Sequence, residues 1–493
     1  MAPIAQASVD PAPGTRRLAR APRELVQGGR VFRKVLVANR GEIAARIIAA
    51  CHAVGAKAVA VYSEADAASP HLELADETLC IGPAPTGRSY LDQDALLEAA
   101  LVTGCQALHP GFGFLSENAR FATRCRQQQL TFIGPPASCI RAMGDKATAR
   151  RTMEAAGVPV LPGSKDLLGS AAEAAERAAA VGYPVILKAT AGGGGRGMRL
   201  CEDPARLQSA FHEATAEAGA AFGNAGLYLE KYVVGGRHIE FQVLADRWGT
   251  VLCLGERECS VQRNHQKLIE EAPAPGFSET LRHEITDALV RAMLAIGYEG
   301  AGTVEFLMDA SGKLYFMEMN TRLQVEHPVT ELVTGVDIVA WQLRIAAGQR
   351  LHLRQEDVRI TGHAIECRIN AEDPAAGFRP SPGRLERLVL PEHRPQGPLR
   401  IDTHVREGYR IPTHYDSMIA KVIAHGDDRA AALQRMGDAL GSIVIEGFET
   451  TIPLHRAILA EQDFAAGSYT CQYIAEHPAL LEGLRSTKEV THG

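Results

Sequence analysis

No apolar run approaches the roughly 18 residues a membrane-spanning helix requires anywhere in the 493-residue sequence, so no such helix is expected. The ten cysteines are scattered and never fall in a CxxC pair. That speaks against a zinc site or a disulfide framework and fits free thiols in a reducing compartment, so a cytoplasmic location is expected. Positive charge is not in excess: the net charge is −6 and the isoelectric point about 6.3, which argues against a general nucleic-acid or membrane-surface binder. A Walker sequence GxxxxGK[ST] is missing, so any phosphate chemistry must run through another loop. The first 30 residues, rich in Ala, Pro and Arg, have no apolar core for a secretory signal and no clear periodicity. They read as a disordered extension.

The most informative segment is Glu318 to Leu332. Glu318, Asn320, Arg322, Gln324 and Glu326 fall on alternate positions, which share one face of an extended strand. Leu314 and Phe316 have the same parity, so an apolar face is expected to turn polar and charged. Carboxylate and amide oxygens suit a hard cation such as Mg²⁺, and an arginine two residues further suits a planar anion. Gly302 to Met308 and Leu314 to Met319 read as strands joined by the turn Asp309 to Gly312, which sets Glu305 across from the Glu318 region.

The remaining chain supplies phosphate chemistry and a scaffold. Lys34 to Ala38, Gly41 to Val54 and Lys57 to Tyr62 read as a βαβ unit of a parallel sheet. The loop Asn39 to Glu42 is a possible anion site at a helix start, or a plain helix start. Gly192 to Gly195 are four consecutive glycines after an apolar strand that ends in Lys188. Such a loop can bring backbone N–H groups onto an anion and close over it, with Arg196 beside it, although a plain linker has the same composition. Asp203 and Pro204 open a helix. His238 to Leu244 alternates as a strand, Glu258 to Lys267 reads as a polar stretch between strands, and His363 to Asn370, His404 to Ile411 and Ser417 to Ile423 read as further strands. Asp427 to Leu440 reads as a capped helix.

Taken together the motifs resemble the biotin carboxylase family of ATP-grasp enzymes, most closely the subunits that serve bacterial acetyl-CoA carboxylases. The resemblance rests on Ala38 to Ala44, His109 to Asn118, Met143 to Lys146, Gly192 to Met198, Gln262 to Lys267, Glu318 to Glu331 and Glu366 to Asp373, in family order from Val31 to the late 470s. It implies an α/β fold, α+β in parts: a Rossmann-like parallel sheet at 31–145, an ATP-grasp domain at 146–355 with a mobile lid at about 160–232, a mixed C-terminal domain at 356–480 and a tail at 481–493.

It also implies roles. Lys146 and Lys188 would contact ATP phosphates, with Gly194 and Gly195 above them. Glu230, Lys231, Tyr232 and Val233 would form the hinge at the adenine, and His238, Gln262 and His265 would line the nucleotide pocket. Glu305, Glu318 and Asn320 would hold Mg²⁺ or Mn²⁺. Lys267, Arg322, Gln324 and the Val325 backbone would surround bicarbonate, Glu326 would be the general base, and Arg368 would meet the biotin ureido group. Two positions depart from the family pattern: Ala191 in place of a further glycine and Asn264 in place of a frequent arginine.

The Ala-Met-Lys-Met turn of a biotin carrier does not occur. Biotin is therefore expected on a separate carrier protein, with separate carboxyltransferase subunits and a homodimer of this chain. Acetyl-CoA is the leading final acceptor, with other acyl-CoAs or 2-oxo acids open. Another ATP-grasp carboxylate ligase would share Lys146, Lys188, Glu305 and Glu318 but need not carry Arg322, Glu326 or Arg368. A non-catalytic scaffold subunit would be expected to show damage at the metal or base positions, and none is seen.

Overall fold

The computed structural model describes residues 31–164, 166–189, 198–223 and 225–492. The expected N-terminal extension and the glycine loop, with Ala191, Gly194, Gly195 and Arg196, lie outside the described residues.

Among the described residues the first sheet contains β1 (Lys34–Val37), β2 (Lys57–Tyr62), β3 (Glu77–Cys80), β4 (Ala107–His109) and β5 (Thr131–Phe132), all parallel in the order β3-β2-β1-β4-β5. Val35, Leu36 and Val37 are completely buried, as in a parallel sheet covered on both faces. A second, small antiparallel sheet orders β6 (Val185–Ala189), β7 (Met198–Cys201) and β8 (Leu227–Lys231) as β7-β6-β8. The helices Ala171–Val181 and Pro204–Phe222 cover it, and Leu187, Leu229, Ala210 and Ala214 form a core of its own. Asp203 caps the second helix by accepting from Arg206 N–H at 3.1 Å, as expected.

The largest sheet carries the site. It is built from β9 (Arg237–Ala245), β10 (Val251–Arg263), β11 (Gln266–Ala272), β12 (Gly300–Met308), β13 (Leu314–Asn320) and β14 (His363–Asn370). After the ribbon strands β15 (Glu372–Asp373), β16 (Arg379–Pro380) and β17 (Arg387–Val389) it adds β18 (Leu399–Thr403) and β19 (Met418–Gly426), before β20 (Val444–Glu446) closes onto β17. The order is β13-β12-β9-β10-β11-β14-β19-β18. Pairing of β11 with β14 (Glu270 opposite Glu366) carries one sheet from the central part of the chain into the C-terminal part. No helix among the described residues is long and apolar enough to cross a membrane.

Three local expectations are corrected. Glu258 to Lys267 is not a stretch between strands: β10 runs on to Arg263 and turns into β11 at Asn264 and His265, with φ of 49° and 64°. The strand carries its charges inside because they are matched, Arg257 to Glu240 at 2.6 Å, Arg282 to Glu256 at 2.6 Å and Arg237 to Glu258 at 2.5 Å. The turn also gives Asn264 a conformational reason, since Asn enters the left-handed region more readily than Arg. His404 to Ile411 is not a strand either; the strand is β18, just before it. Gly408 at φ 83° reverses the chain, and Val405, Tyr409 and Ile411 are buried as a loop inside the C-terminal core.

Thirdly, the polar residues after Leu314 do not continue its face. The register changes between Phe306–Phe316 and Glu305–Glu318, so Met317 is the extra residue of a β-bulge. Phe316 faces the core, whereas Glu318 joins Glu305 on the other side. The strand then ends at Asn320, leaving Arg322 to Glu326 on a loop.

Candidate active site

The hairpin of β12 and β13 sets Glu305 directly opposite Glu318 and Thr303 opposite Asn320. Asn320 Nδ2 donates to Glu305 Oε1 at 2.9 Å, and Gln324 Nε2 donates to the same oxygen at 3.0 Å. Arg322 is held by three side-chain acceptors, Glu117 Oε2 at 2.8 Å, Asn320 Oδ1 at 2.8 Å and Gln324 Oε1 at 2.7 Å, and by the Leu323 carbonyl at 3.2 Å. Lys267, on β11, reaches Glu240 at 2.5 Å, Glu326 at 2.6 Å and Glu305 at 3.2 Å. Arg368, on β14, bridges Glu326 at 2.9 Å and Glu270 at 2.5 Å. His238 Nε2 lies 3.3 Å from Glu305, and its Nδ1 lies 3.1 Å from Gln262 Nε2. The loop and six strands thus bring Lys267, Glu305, Asn320, Arg322, Gln324, Glu326, Arg368, His238 and Gln262 into one cluster.

The charges are arranged unequally. Burial alone would push the Glu326 carboxyl up, and Glu240 adds to that, but Lys267, Arg368 and Arg257 outweigh both and hold it below the ordinary value. Glu305 is treated likewise: burial works to raise it, and Lys267 and His238 pull it well down. Glu318 goes the other way. Its edge is open to solvent, yet the protein around it and the facing Glu305 push its carboxyl up. A carboxyl short of counter-charge, paired with a second carboxylate and next to an amide oxygen, fits a hard divalent cation. The tighter groups His238–Glu240–Glu305 and Glu240–Cys259–Glu326, with ligand atoms within 4.8 Å, already have Lys267 and Arg257 as counter-ions.

The other expected nucleotide residues sit on or beside the small sheet. Lys188 on β6 pairs with Glu230 on β8 at 2.6 Å, and Lys231 Nζ donates to the carbonyls of Gly182 and Tyr183 at 2.9 and 2.7 Å. Tyr232 and Val233 follow β8 directly. Lys146 opens the helix Lys146–Ala155 and acts electrostatically on Glu318. His265 is at the exposed tip of the β10–β11 turn.

Three family descriptions match in succession: "Biotin carboxylase, N-terminal domain" over residues 31–140, "Carbamoyl-phosphate synthase L chain, ATP binding domain" over 145–354 and "Biotin carboxylase C-terminal domain" over 366–476. The chain is 53% identical to a biotin carboxylase of Nostoc over 446 residues, 90% of this chain and 99% of that one, and 52% identical to one of Haemophilus influenzae over 454 residues, 92% and 100% of the two chains. The chain belongs to the biotin carboxylase family. A solved biotin carboxylase domain dimer of the Hydrogenobacter thermophilus 2-oxoglutarate carboxylase, in complex with MgADP, ADP and bicarbonate, superimposes with a TM-score of 0.86 at 48% identity, covering 91% of this chain and 98% of that chain. The Campylobacter jejuni biotin carboxylase β-γ-ATP complex gives 0.86 at 45%, covering 90% and 99%. As a biotin carboxylase the chain is an ATP-dependent ligase of the ATP-grasp type.

Sequence reasoning missed part of this biotin carboxylase cluster. Glu240 and Arg257 are both completely buried and paired. The signal for Glu240 was polar residues at alternate positions of an otherwise apolar strand: His238, Glu240 and Gln242 share a face of β9. Glu270, which holds Arg368, carried no local signal, and Glu117, which holds Arg322, lay in the His109 to Asn118 stretch without a role of its own.

His455 is a further buried support. Its Nε2 lies 2.7 Å from the Arg368 carbonyl, to which it must donate. Burial pushes the imidazole down to about 4, against a smaller upward effect of that bond. The folded value lies below the unfolded one near 6.5, so the stabilisation is present above that value and is lost as pH falls through about 4. His455→Gln, which keeps a donor near Nε2, should flatten the rise of unfolding free energy across this window by about 1.4 kcal/mol per pH unit. Urea titrations of both proteins at several pH values measure the slope; identical slopes would reject the assignment.

Proposed function

We propose that this chain carboxylates biotin presented on a separate carrier protein, using ATP and bicarbonate, as the first half-reaction of an acyl-CoA carboxylase with acetyl-CoA as acceptor. The observation that carries the reading is Glu326, a buried carboxylate kept ionised between Lys267 and Arg368, beside Arg322 and Gln324 and next to the paired carboxylates Glu305 and Glu318.

Bicarbonate is a weak nucleophile and a planar anion. Lys267 and Arg322 supply cations for it, Gln324 an amide and Val325 its backbone N–H, so the anion lies within reach of Glu326. Glu326 takes the bicarbonate proton as the oxygen attacks the γ-phosphate of ATP, giving carboxyphosphate and ADP. Lys146 and Lys188 hold the phosphates, and Gly194 and Gly195 cover them. His238, Gln262 and His265 line the nucleotide pocket, with Glu230 to Val233 at the adenine. Glu305, Glu318 and Asn320 would hold Mg²⁺ or Mn²⁺, which when bound offsets negative charge on the phosphates. Carboxyphosphate breaks down to CO₂ and phosphate, the phosphate takes the N1′ proton of biotin, and Arg368 balances the charge that develops on the ureido oxygen as CO₂ adds.

The working units are 31–145, 146–355 and 356–480, with about 160–232 as the lid. The protein works as a homodimer in the cytoplasm, alongside a carrier and carboxyltransferase subunits. The test is direct. With MgATP, ATP hydrolysis should require bicarbonate and rise with free biotin. Stimulation by an amine instead of biotin would assign another ATP-grasp ligase.

A further inference from the structure

We propose that Lys421 and His327, neither of which touches a reactant, are positioning residues that clamp the two peptide planes around Val325, and so aim the Val325 N–H at bicarbonate and set Glu326 for proton removal. The proposal rests on the biotin carboxylase reading of the site and adds to it the residues that fix its anion loop.

The loop needs such a device. β13 ends at Asn320, and the helix His327–Thr334 begins just after Glu326. Between them the ladder of the sheet no longer holds the backbone. A peptide unit is planar and trans, so fixing its carbonyl oxygen fixes the direction of its N–H, which points the opposite way. Two successive carbonyls in this loop are fixed by buried side chains. His327 Nδ1 lies 2.8 Å from the carbonyl of Gln324. A carbonyl can only accept, so Nδ1 carries the proton. This bond fixes the plane that bears the Val325 N–H. Lys421 Nζ donates to the carbonyl of Val325 at 2.8 Å, fixing the next plane, which leads into Glu326.

Both clamps are rigid. Lys421 and His327 are completely buried. Lys421 stands on β19 opposite Arg368 on one side and Asp402 on the other. It is also 3.2 Å from Glu42 on the helix Gly41–Ala53 and 3.8 Å from Asp402. One ammonium therefore ties the first part of the chain, the C-terminal strands and the anion loop together. The imidazole of His327 is kept neutral by burial and by Lys421, Arg46 and Arg400 nearby, against Asp402, which leaves it a single proton to donate. Val325 itself is only half-buried between buried Gln324 and Glu326, and no acceptor among the described residues takes its N–H. A backbone donor without an acceptor among the described residues thus lies between two held carbonyls, those of Gln324 and Val325.

The experiment compares the full chain with Lys421→Met, His327→Leu and His327→Asn. Asn places an amide donor close to the position of the imidazole Nδ1. Steady-state ATP hydrolysis is followed against bicarbonate and against MgATP, with thermal unfolding alongside. Lys421→Met and His327→Leu should raise KM for bicarbonate on the order of 10- to 100-fold, the weight of one oriented hydrogen bond to a charged group. KM for MgATP should stay within about twofold. His327→Asn should recover bicarbonate KM to within about threefold of the unsubstituted protein. If Lys421→Met does not fold, the two His327 variants decide. Folded variants with unchanged bicarbonate KM, or with both KM values rising in step, would overturn the clamp. Lack of bicarbonate dependence in the unsubstituted protein would instead overturn the biotin carboxylase reading itself.

Discussion

Glu326→Gln is expected to lower bicarbonate-dependent ATP cleavage by about 10²- to 10⁴-fold, the range for loss of a general base, while leaving the chain folded and able to bind MgATP. Glutamine has the same shape and keeps one acceptor oxygen for Lys267 or Arg368. It cannot accept a proton. The Glu326 side chain is fully buried, with Lys267 at 2.6 Å and Arg368 at 2.9 Å, so the exchange leaves one of these cations facing an amide NH₂. That costs about 1–3 kcal/mol of stability, too little to account for a loss of several orders of magnitude in rate. Because Lys267, Arg368 and Arg257 keep Glu326 below the ordinary carboxylate range against the effect of burial and Glu240, the base is ionised at neutral pH before substrate arrives. Nucleotide binding by fluorescence or calorimetry and initial ATP hydrolysis rates separate the two effects. A rate within tenfold of the unsubstituted protein, with full bicarbonate dependence, would remove Glu326 from the base role.

The sequence made the outline of this site readable because its key pairing is local. A short turn, Asp309 to Gly312, joins two strands, and that was enough to set Glu305 against Glu318. The β-bulge at Met317 was not readable. It adds one residue to a strand of unbroken alternation, and it sits where Phe316 is held from outside the hairpin: its N–H donates to the Pro159 carbonyl at 2.8 Å, and Val160 bridges to it in parallel. A contact across about 150 residues leaves no trace in the local period. Buried charge has the same problem. Arg257 and Lys421 look like surface residues interrupting strands, and only the approach of Glu240 and Glu42 makes them interior. The apolar spacing of Val405, Tyr409 and Ile411 reports burial correctly, but a buried loop and a strand produce the same pattern.

Lys267→Met should lose activity and, in addition, destabilise the fold by roughly 3–5 kcal/mol, the cost of breaking a buried ion cluster by removing one sign. Lys267 is the cation common to Glu240, Glu305 and Glu326. Without it Glu240 keeps Arg257 and Glu305 keeps His238, but Glu326 must share Arg368 with Glu270, so the cluster survives with one positive charge too few. With Lys267 gone, burial is opposed by one cation fewer, and the carboxyl left short of a partner rises above the unfolded value near 4.3. The folded variant binds more protons than the unfolded chain in that window, and its stability rises as pH falls through it. The deficit relative to the unsubstituted protein should therefore be largest near pH 8 and narrow toward pH 5. Lys267→Met combined with Glu240→Gln removes one charge of each sign. It should recover about 1–3 kcal/mol, a coupling expected of residues in direct contact, without restoring bicarbonate-dependent ATP cleavage. Urea unfolding of the two single variants and the double variant at pH 8 and pH 5 measures all three quantities. A deficit independent of pH, or additivity in the double variant, would mean that Lys267 is not the shared counter-ion of these carboxylates.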